Sequence, residues 1–583
     1  MTNAAEWIFN EFDEDLAVDI AREINVPVSI GGLLVQRGYT DPESAEMFLR
    51  PRLSNMGDPF DLPDMPLAAE RIWRAVKTGE KITVHGDYDA DGITSTALLV
   101  KVLSMLGAKV SAFIPHRIED GYGLTAENVL QCVEDFGTKL MITVDCGTGS
   151  TDAADRAREL GVDLVVTDHH ESSGDIAQAL ALVNPKLGEA TDARNLAGVG
   201  VAFKLCHALL IYGRDKGYEE AGMDLRPFLD LVALGTVADI VPLLGENRAL
   251  TRYGLQMADK TENIGLRALL QCAGAASPLR AYNLAFQIAP RINAAGRVGS
   301  ARRALDLLLT EDPDEAQEIA EELDQENRER QKIEAEVVTE CERQLRDTFD
   351  PQHDYAIVAA GAGWHRGVVG IAASRIMREH YRPTFIIALD EDGAGHGSGR
   401  SIEGFSLVQA LADCSDLLDK FGGHDMAAGL SITRDKVKAF RKRLNEVARK
   451  KLAADDLVPK QRVDAWIDLD DVGEELYEAQ CLLAPFGEAN RNPIWAVSGL
   501  RFMSEPREVG KGHLKARVGA GNTERDAIGF NLWGRVLPEG PMDIAFKLER
   551  NEYRGRVSYQ LNICDIRPAT GFLPRKNPEA RLV

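Results

Sequence analysis

KITVHGDYDADGITSTALLVKVLSMLG, residues 81–107, is the stretch that decides the fold of this 583-residue chain. It combines an apolar strand pattern, an acidic turn and an apolar helix pattern. The same alternation continues through KVSAFIP, LMITVD and DLVVTD, to about residue 245. Strands that alternate with helices are typical of βαβ units. The segment therefore predicts an α/β domain with a parallel sheet.

Acidic residues follow the predicted strands directly. Asp87 comes after KITVHG, Asp145 closes LMITVD, and Asp168 closes DLVVTD. Ligands of parallel sheets gather at the carboxyl ends of the strands. We therefore expect these carboxylates to meet in one crevice.

The acidic turn first suggests a calcium loop, because Asp87, Asp89, Asp91 and Gly92 occupy its positions 1, 3, 5 and 6. Position 12 of such a loop requires a bidentate Glu, and Leu98 stands there instead. The flanks also predict strand then helix, whereas a calcium loop joins two helices. An ordinary turn remains the alternative, since Asp and Gly are common turn residues.

Further ligand-type residues accompany the turn. They are Asp145 in TVDCGTG, the triplet Asp168, His169 and His170, and Asp239 in LGTVADIVPL. Carboxylates mixed with imidazoles suit Mn²⁺ or Mg²⁺. Two such ions sharing a bridging carboxylate can promote phosphodiester hydrolysis.

The remaining sequence predicts further domains. Residues 311–349 have a helical pattern and connect the catalytic part, residues 1–310, to a second α/β segment at 350–452. That segment carries the glycine-rich stretches GAGHGSGRS and FGGHDMAAG, which we expect to be loops that approach phosphate groups. Short alternating segments within 453–583 predict a small β-barrel.

Charge, apolar content and cysteines limit the class of protein. The net charge is −24, yet residues 501–583 hold 15 Lys and Arg against 10 Asp and Glu, which gives +5 there and −29 before. A basic C-terminal part can contact a polyanion despite the acidic total. The sequence has no long apolar run and no secretory pattern at its start, and its eight Cys are scattered, so we expect a cytoplasmic protein.

The motifs resemble those of the DHH phosphoesterases, a family named for the triplet at Asp168, His169 and His170. DYDADG, VDCGTG, TDHH, ALGTVADIVPL, PRINAAGR, GWHRGVVGIAASR, GSGRS, GGHDMAAG and LAPFGEANRNPIW occur in the family's order. The resemblance covers nearly the whole chain. It is strongest to the bacterial members that degrade single-stranded DNA from the 5′ end.

The resemblance implies a catalytic DHH domain, the connecting helix, a DHH-associated α/β domain and a C-terminal OB-fold. It also implies a ligand set, in which Asp89 and Asp145 bind one ion and Asp91, Asp145, His169 and Asp239 bind the other. It places His170 on the scissile phosphate and gives Asp87 an orienting role. His85 stands where shorter members have a metal ligand.

Substrate contacts are also implied. A 5′-phosphate pocket would use Arg117, Ser398 and Arg400, and Arg297 and His424 would face the substrate. Without the motif context, each Arg is as easily a surface charge. The parallel N–H donors of an Arg guanidinium nevertheless match the spacing of phosphate oxygens well.

The function implied is hydrolysis of single-stranded DNA from its 5′ end to 5′-mononucleotides, with two Mn²⁺ or Mg²⁺ ions, in DNA repair and recombination. We expect a monomer that works with single-strand binding protein and a helicase. One alternative is a DHH enzyme for small substrates such as pyrophosphate or dinucleotides. A non-catalytic DNA-binding scaffold is another, although every expected ligand is present.

Overall fold

The computed structural model describes residues 5–116, 123–172, 174–189, 192–553 and 555–571. The chain divides into two compact units. The larger comprises the described residues from Phe9 to Asp324 and from Val463 onward, and the smaller comprises Gln325–Arg462 with residues 5–8. Within these described ranges, each helix is either too short or too polar to cross a membrane.

The N-terminal part is mainly helical. It contains β1 (Glu6–Phe9), α1 (Glu14–Glu23), α2 (Val28–Gln36), α3 (Pro42–Leu49) and α4 (Met65–Thr78). Asp13 and Asp41 cap the first turns of α1 and α3 by accepting hydrogen bonds from backbone N–H groups. The apolar faces of these helices are buried.

A parallel sheet follows, as KITVHG and its successors predict. Its elements are β2 (Lys81–Gly86), α5 (Ala90–Met105), β3 (Lys109–Phe113), α6 (Ala126–Phe136), β4 (Leu140–Val144), α7 (Thr151–Glu159), β5 (Asp163–Thr167) and β6 (Ala181–Val183). The strand order is β3-β2-β4-β5-β6, and every neighbouring pair is parallel. The central strands are buried on both faces, which explains their continuous apolar runs.

Further helices follow the sheet along the chain. They are α8 (Gly198–Asp215), α9 (Leu229–Ala238), α10 (Gly245–Ala258), α11 (Ile264–Cys272), α12 (Ala281–Asn283), α13 (Ala289–Val298), α14 (Ala301–Leu309) and α15 (Pro313–Thr348). A π-helical turn at Leu284–Ile288 joins α12 to α13. The long helix α15 lies within the predicted connecting segment 311–349.

The smaller unit contains a five-stranded sheet. Its elements are β7 (Ile357–Ala362), α16 (Val369–His380), β8 (Thr384–Leu389), β9 (Ala394–Arg400), α17 (Leu407–Ala412), β10 (Lys420–Gly423), β11 (Ala427–Thr433) and α18 (Val437–Lys451), and β12 (Lys460–Val463) follows. The strand order is β10-β11-β9-β8-β7.

The prediction that the two glycine-rich stretches are loops was wrong. GAGHGSGRS forms most of β9, and FGGHDMAAG spans β10 and the start of β11. The glycines of β9 leave space for neighbouring side chains, since a Cβ atom on Gly399 would lie 2.4 Å from the ring of Phe385. Close packing, rather than backbone freedom, requires glycine there.

The C-terminal part is a seven-stranded sheet. It contains β13 (Ala465–Trp466), α19 (Glu474–Cys481), β14 (Trp495–Phe502), β15 (Arg507–Val509), β16 (His513–Ala520), β17 (Thr523–Gly529), β18 (Met542–Tyr553) and β19 (Arg556–Pro568). The pairings β14–β18, β18–β19, β19–β17, β17–β16 and β16–β14 form a closed circuit of five strands. Its core also includes α1–α3 side chains such as Ile20, Leu33 and Phe48, so these helices pack with the C-terminal strands.

Candidate metal centre

The ligand-type residues lie at the carboxyl ends of neighbouring strands. Asp87 and Asp89 follow β2, Asp145 follows β4, and the triplet at 168–170 follows β5. Asp145 adopts a left-handed backbone with a φ of 62°. Asp tolerates this conformation better than most residues, and such backbone is concentrated at functional sites.

Asp239 approaches from a different element. It is the C-terminal cap of α9, one residue after Ala238. Its carboxylate Oδ2 lies 3.4 Å from Nε2 of His169, and Asp145 Oδ1 lies 3.1 Å from the same nitrogen. Asp91 Oδ2 is 3.9 Å away. One imidazole nitrogen thus faces three carboxylates that are far apart in sequence.

Three sets of side chains could each hold one cation, with ligand atoms within 4.8 Å of one another. The sets are Asp87 with Asp89 and Asp145; Asp91 with His169 and Asp239; and Asp145 with His169 and His170. Asp145 and His169 each belong to two sets. The arrangement therefore suits two neighbouring ions that share ligands.

Helix α8 orients Asp91. The backbone N–H groups of Gly198 and Val199, at the start of α8, donate to its two carboxylate oxygens at 2.7 and 2.9 Å. The N-terminus of a helix favours negative charge. Asp91 is thereby held with its charge partly compensated, although it is completely enclosed.

Asp168 differs from the other carboxylates of the site because both of its oxygens accept hydrogen bonds from protein donors. Its Oδ1 lies 2.7 Å from His170 Nδ1 and accepts from the backbone N–H of His169, while its Oδ2 accepts from the N–H of Thr148. Burial alone would raise the pKa of Asp168, but the hydrogen bonds from His170 and Thr148 bring it to about 2. Among the described residues it belongs to none of the three sets.

Burial and mutual repulsion dominate the electrostatics. Burial, followed by the charges of neighbouring Asp residues, raises the pKa values of Asp91 and Asp145 well above the ordinary value. Burial and then the charge of Asp89 raise the pKa of Asp239 to about 7.

Burial and then the charge of His170 lower the pKa of His169 to about 3, so its ring is neutral, as a metal ligand must be. Burial lowers the pKa of His170, but the stronger combined effect of Asp168 raises it.

The residues fit a divalent metal. In the part of the chain that the structure describes, Asp145 Oδ1 and His169 Nε2 are buried and lack a hydrogen-bond partner. Burying polar atoms in this way is costly unless something binds them. Two glycines also leave room for these carboxylates. A Cβ atom on Gly198 would lie 2.7 Å from Asp145 Oδ1, and a Cβ atom on Gly235 would lie 2.7 Å from Asp91 Oδ1.

Helix α13 lies against the acidic turn. Asn293 Oδ1 accepts a hydrogen bond from the N–H of Ala90 at 2.8 Å, and a Cβ atom on Gly296 would lie 2.9 Å from the carbonyl oxygen of Tyr88. Arg297 is one turn further along α13 and is half-buried. The structure thus places Arg297 on a helix that contacts the acidic turn.

None of the other predicted residues that the structure describes belongs to the three sets. Arg117 is outside the described residues. Ser398 and Arg400 are neighbours on β9 in the smaller unit, where Arg400 Nη1 donates to Ser398 Oγ at 3.1 Å. His424 is exposed just after β10. His85 is buried at the end of β2, stacked on Phe113, and belongs to none of the three sets of described residues.

Several residues of the site were missed from sequence. Asn184 donates from Nδ2 to Thr148 Oγ1 and to the carbonyl oxygen of His170, both at 2.9 Å. It follows β6 directly, so the same strand-end rule could have found it. Asn293 lies four residues before Arg297 in PRINAAGR, which places both on one helix face. The glycines at 198 and 235 had no legible signal, because their close contacts are tertiary.

Family models match three parts of the chain. They are the DHH family N-terminal domain at residues 81–236, the DHHA1 domain at 353–450 and the RecJ OB domain at 463–565. These three matches follow one another in the order expected from the motifs.

Whole-chain relatives agree. The single-stranded-DNA-specific exonuclease RecJ of Bacillus subtilis is 38% identical over 573 residues, which cover 97% of this chain and 71% of that protein. The protein of the same name from Escherichia coli is 37% identical, over 95% of this chain and 98% of its own length.

Solved structures match the fold as well. The crystal structure of RecJ from Thermus thermophilus in complex with Mn²⁺ covers 97% of this chain and 80% of its own, with a TM-score of 0.83 and 32% identity. Its complex with Mg²⁺ gives a TM-score of 0.77 and 31% identity. The identity, the coverage and the order of the domain matches together establish that this chain belongs to the RecJ family.

Proposed function

We propose that this protein is a metal-dependent exonuclease that hydrolyses single-stranded DNA from its 5′ end to 5′-mononucleotides, in DNA repair and recombination. The observation that carries the proposal is the buried cluster of Asp and His ligand atoms at the strand ends, in a chain of the RecJ family. The small-substrate alternative requires no C-terminal strand domain, and a scaffold requires no intact ligand set.

The three sets support the following ligand roles. Asp89 and Asp145 would hold one Mn²⁺ or Mg²⁺ ion, and Asp91, Asp145, His169 and Asp239 the other. Asp87 is close enough to Asp89 and Asp145 to bind the same ion as these two residues. When bound, such ions lower the pKa of water and neutralise charge on a phosphodiester.

His170 is the residue best suited to contact the scissile phosphate. Its side chain is 43% exposed, and Asp168 holds its Nδ1, so Nε2 is the nitrogen that can donate to a phosphate oxygen. The Asp168 carboxylate raises the pKa of His170, which favours the protonated form of the ring. Attack of water in line with the leaving O3′ atom would release the terminal nucleotide.

The 5′ end needs its own recognition. Ser398 and Arg400 share one strand and one hydrogen bond, and we assign them to the terminal phosphate together with Arg117, while Arg297 and His424 would contact the strand. Single-strand binding protein and a helicase are the partners that would supply such a substrate to a monomer. A cytoplasmic location fits the cysteines, which form no disulfide in the part of the chain described.

The test is Mn²⁺-dependent digestion of single-stranded DNA labelled at one end. Wild type is compared with Asp145→Ala and His169→Ala. We expect wild type alone to release mononucleotides from the 5′ end. Binding without cleavage by wild type would favour the scaffold, and cleavage of dinucleotides or pyrophosphate alone would favour the small-substrate enzyme.

A further inference from the structure

The turn that carries Asp239 is strained. Ile240, one residue after this ligand, has a φ of 60° and is 69% exposed. A β-branched residue rarely adopts the left-handed region. Such backbone persists only where its surroundings hold it.

Contacts from outside the turn hold it in place. The N–H of Leu243 donates to the carbonyl oxygen of Glu488 at 2.9 Å. Asn247 Nδ2 donates to the carbonyl oxygen of Pro242 at 3.1 Å and to that of Asn195 at 2.5 Å. Glu488 belongs to residues 482–490 of the C-terminal part, which we call the anchor loop. It lies in the same unit as the metal-ligand cluster.

Arg248 ties the next helix to the anchor loop. Its Nη1 donates to the carbonyl oxygen of Leu483 at 2.9 Å, and its Nη2 donates to those of Leu482 and Ala484 at 3.1 and 2.9 Å. Its Nε donates to the carbonyl oxygen of Phe48, whose ring lies 3.9 Å from the guanidinium carbon. The side chain is fully buried. A buried guanidinium that binds several carbonyl oxygens of one loop fixes the position of that loop.

Internal hydrogen bonds and close packing hold the anchor loop in one conformation. Asn490 is completely buried and donates from Nδ2 to the carbonyl oxygens of Leu483 and Pro485 at 2.8 and 2.7 Å. Its Oδ1 accepts from Arg37 Nη1 at 2.7 Å. A Cβ atom on Gly487 would lie 2.6 Å from Leu243 Cδ1, so the loop and the turn approach as closely as glycine allows.

We propose that Arg248 and the anchor loop are positioning elements for Asp239, so that the C-terminal part sets the geometry of one metal ligand. The inference rests on the proposed function, because it assigns Asp239 to a metal. Asp239 ends α9, Arg248 lies on α10, and the strained turn between them contacts the anchor loop. Displacement of the loop would allow Ile240 to relax and would move the carboxylate.

The test is Mn²⁺ binding by the full chain, followed through the electron paramagnetic resonance signal of free Mn²⁺. Arg248→Lys keeps the positive charge but lacks the several guanidinium nitrogens that bind the loop carbonyl oxygens. Gly487→Ala adds a methyl group that pushes the loop away from Leu243. Gly473→Ala is the matched control, since a Cβ atom there meets nothing within 4 Å. We expect roughly 10-fold weaker Mn²⁺ binding in the first two variants, as for other residues that orient ligands, and wild-type binding in the control.

A double variant separates positioning from general loosening. With Asp239→Ala already present, Gly487→Ala should weaken Mn²⁺ binding no further. Additive losses, or wild-type affinity in both Arg248→Lys and Gly487→Ala, would overturn the inference. Absence of Mn²⁺ binding by wild type would instead overturn the proposed function. Gly487→Ala keeps the test open if Arg248→Lys fails to fold.

Discussion

Asp168 Oδ1 lies 2.7 Å from Nδ1 of His170, and this contact distinguishes the first residue of the DHH triplet from the carboxylates around it. Asp168 also accepts hydrogen bonds from the backbone N–H groups of Thr148, His169 and His170. Its oxygens are occupied by donors of the protein. The triplet therefore combines a carboxylate held by several donors, a buried imidazole that faces three carboxylates and a partly exposed imidazole.

Asp168→Asn should reduce kcat more than metal binding. The amide cannot accept from all of these donors and removes the charge that raises the pKa of His170. We expect kcat to fall about 10- to 100-fold, as for other residues that orient side chains of a metal site through hydrogen bonds. The alkaline limb of the kcat profile should move to lower pH. A loss of Mn²⁺ binding with an unchanged profile would contradict the orienting role.

Asp145→Asn should abolish tight metal binding, because Asp145 belongs to two of the three ligand sets. Calorimetric titration with Mn²⁺ measures the effect, and digestion of single-stranded DNA should be lost with it. Asp152→Asn, at an exposed position on α7, is the control and should behave as wild type. Equal Mn²⁺ affinity in both variants would exclude Asp145 as a ligand.

Stabilisation by Mn²⁺ should increase as the pH rises through about 7. The pKa of Asp239 is raised in the folded state from 3.8 to about 7, so below pH 7 the metal must displace a proton from it. In the metal-free protein the same shift stabilises the folded state at low pH, and this stability is lost as the pH rises towards 7. Thermal unfolding on either side of pH 7, with and without Mn²⁺, measures the change. Asp239→Asn should reduce this pH dependence, and an equal Mn²⁺ effect at both pH values in wild type would contradict the assignment.

Gly235→Ala should weaken metal binding without removing any ligand. The new methyl group would lie 2.3 Å from Thr94 Oγ1 and 2.7 Å from Asp91 Oδ1, so Asp91 must move. We expect roughly 10- to 100-fold lower Mn²⁺ affinity. Gly222→Ala introduces the same methyl group where nothing lies within 4 Å, and it serves as the control. Identical affinities would show that the glycine is not needed for the position of Asp91.

Arg400→Ala should raise KM more than it lowers kcat, and mainly for DNA that carries a 5′-phosphate. The guanidinium is oriented by Ser398 and by the carbonyl oxygen of Gly399. Loss of a charge-assisted contact costs about 1.5–3 kcal/mol, which is roughly 10- to 150-fold in KM. Arg378→Ala, exposed on α16 of the same unit, is the control. An equal effect on 5′-phosphorylated and 5′-hydroxyl DNA would place Arg400 outside the phosphate pocket.

Sequence by itself determined the parallel sheet and the strand-end positions of Asp87, Asp145 and Asp168. Apolar runs of the β2 type and the turns that follow them are local patterns, and the edge to which they point is a general property of parallel sheets. Local sequence was misleading for β9, where the glycine content predicted a loop. There the packing of Phe385 against Gly399 outweighs the local preference of glycine.

Only the tertiary structure decided how the carboxylates of the candidate site are held. The start of α8 donates to Asp91, Gly235 leaves room beside it, and Arg248 reaches the carbonyl oxygens of Leu482–Ala484 more than 200 residues away. None of these contacts has a periodic or compositional signal. They depend on distances between elements that are remote in sequence, and those distances exist only once the helices and strands have packed.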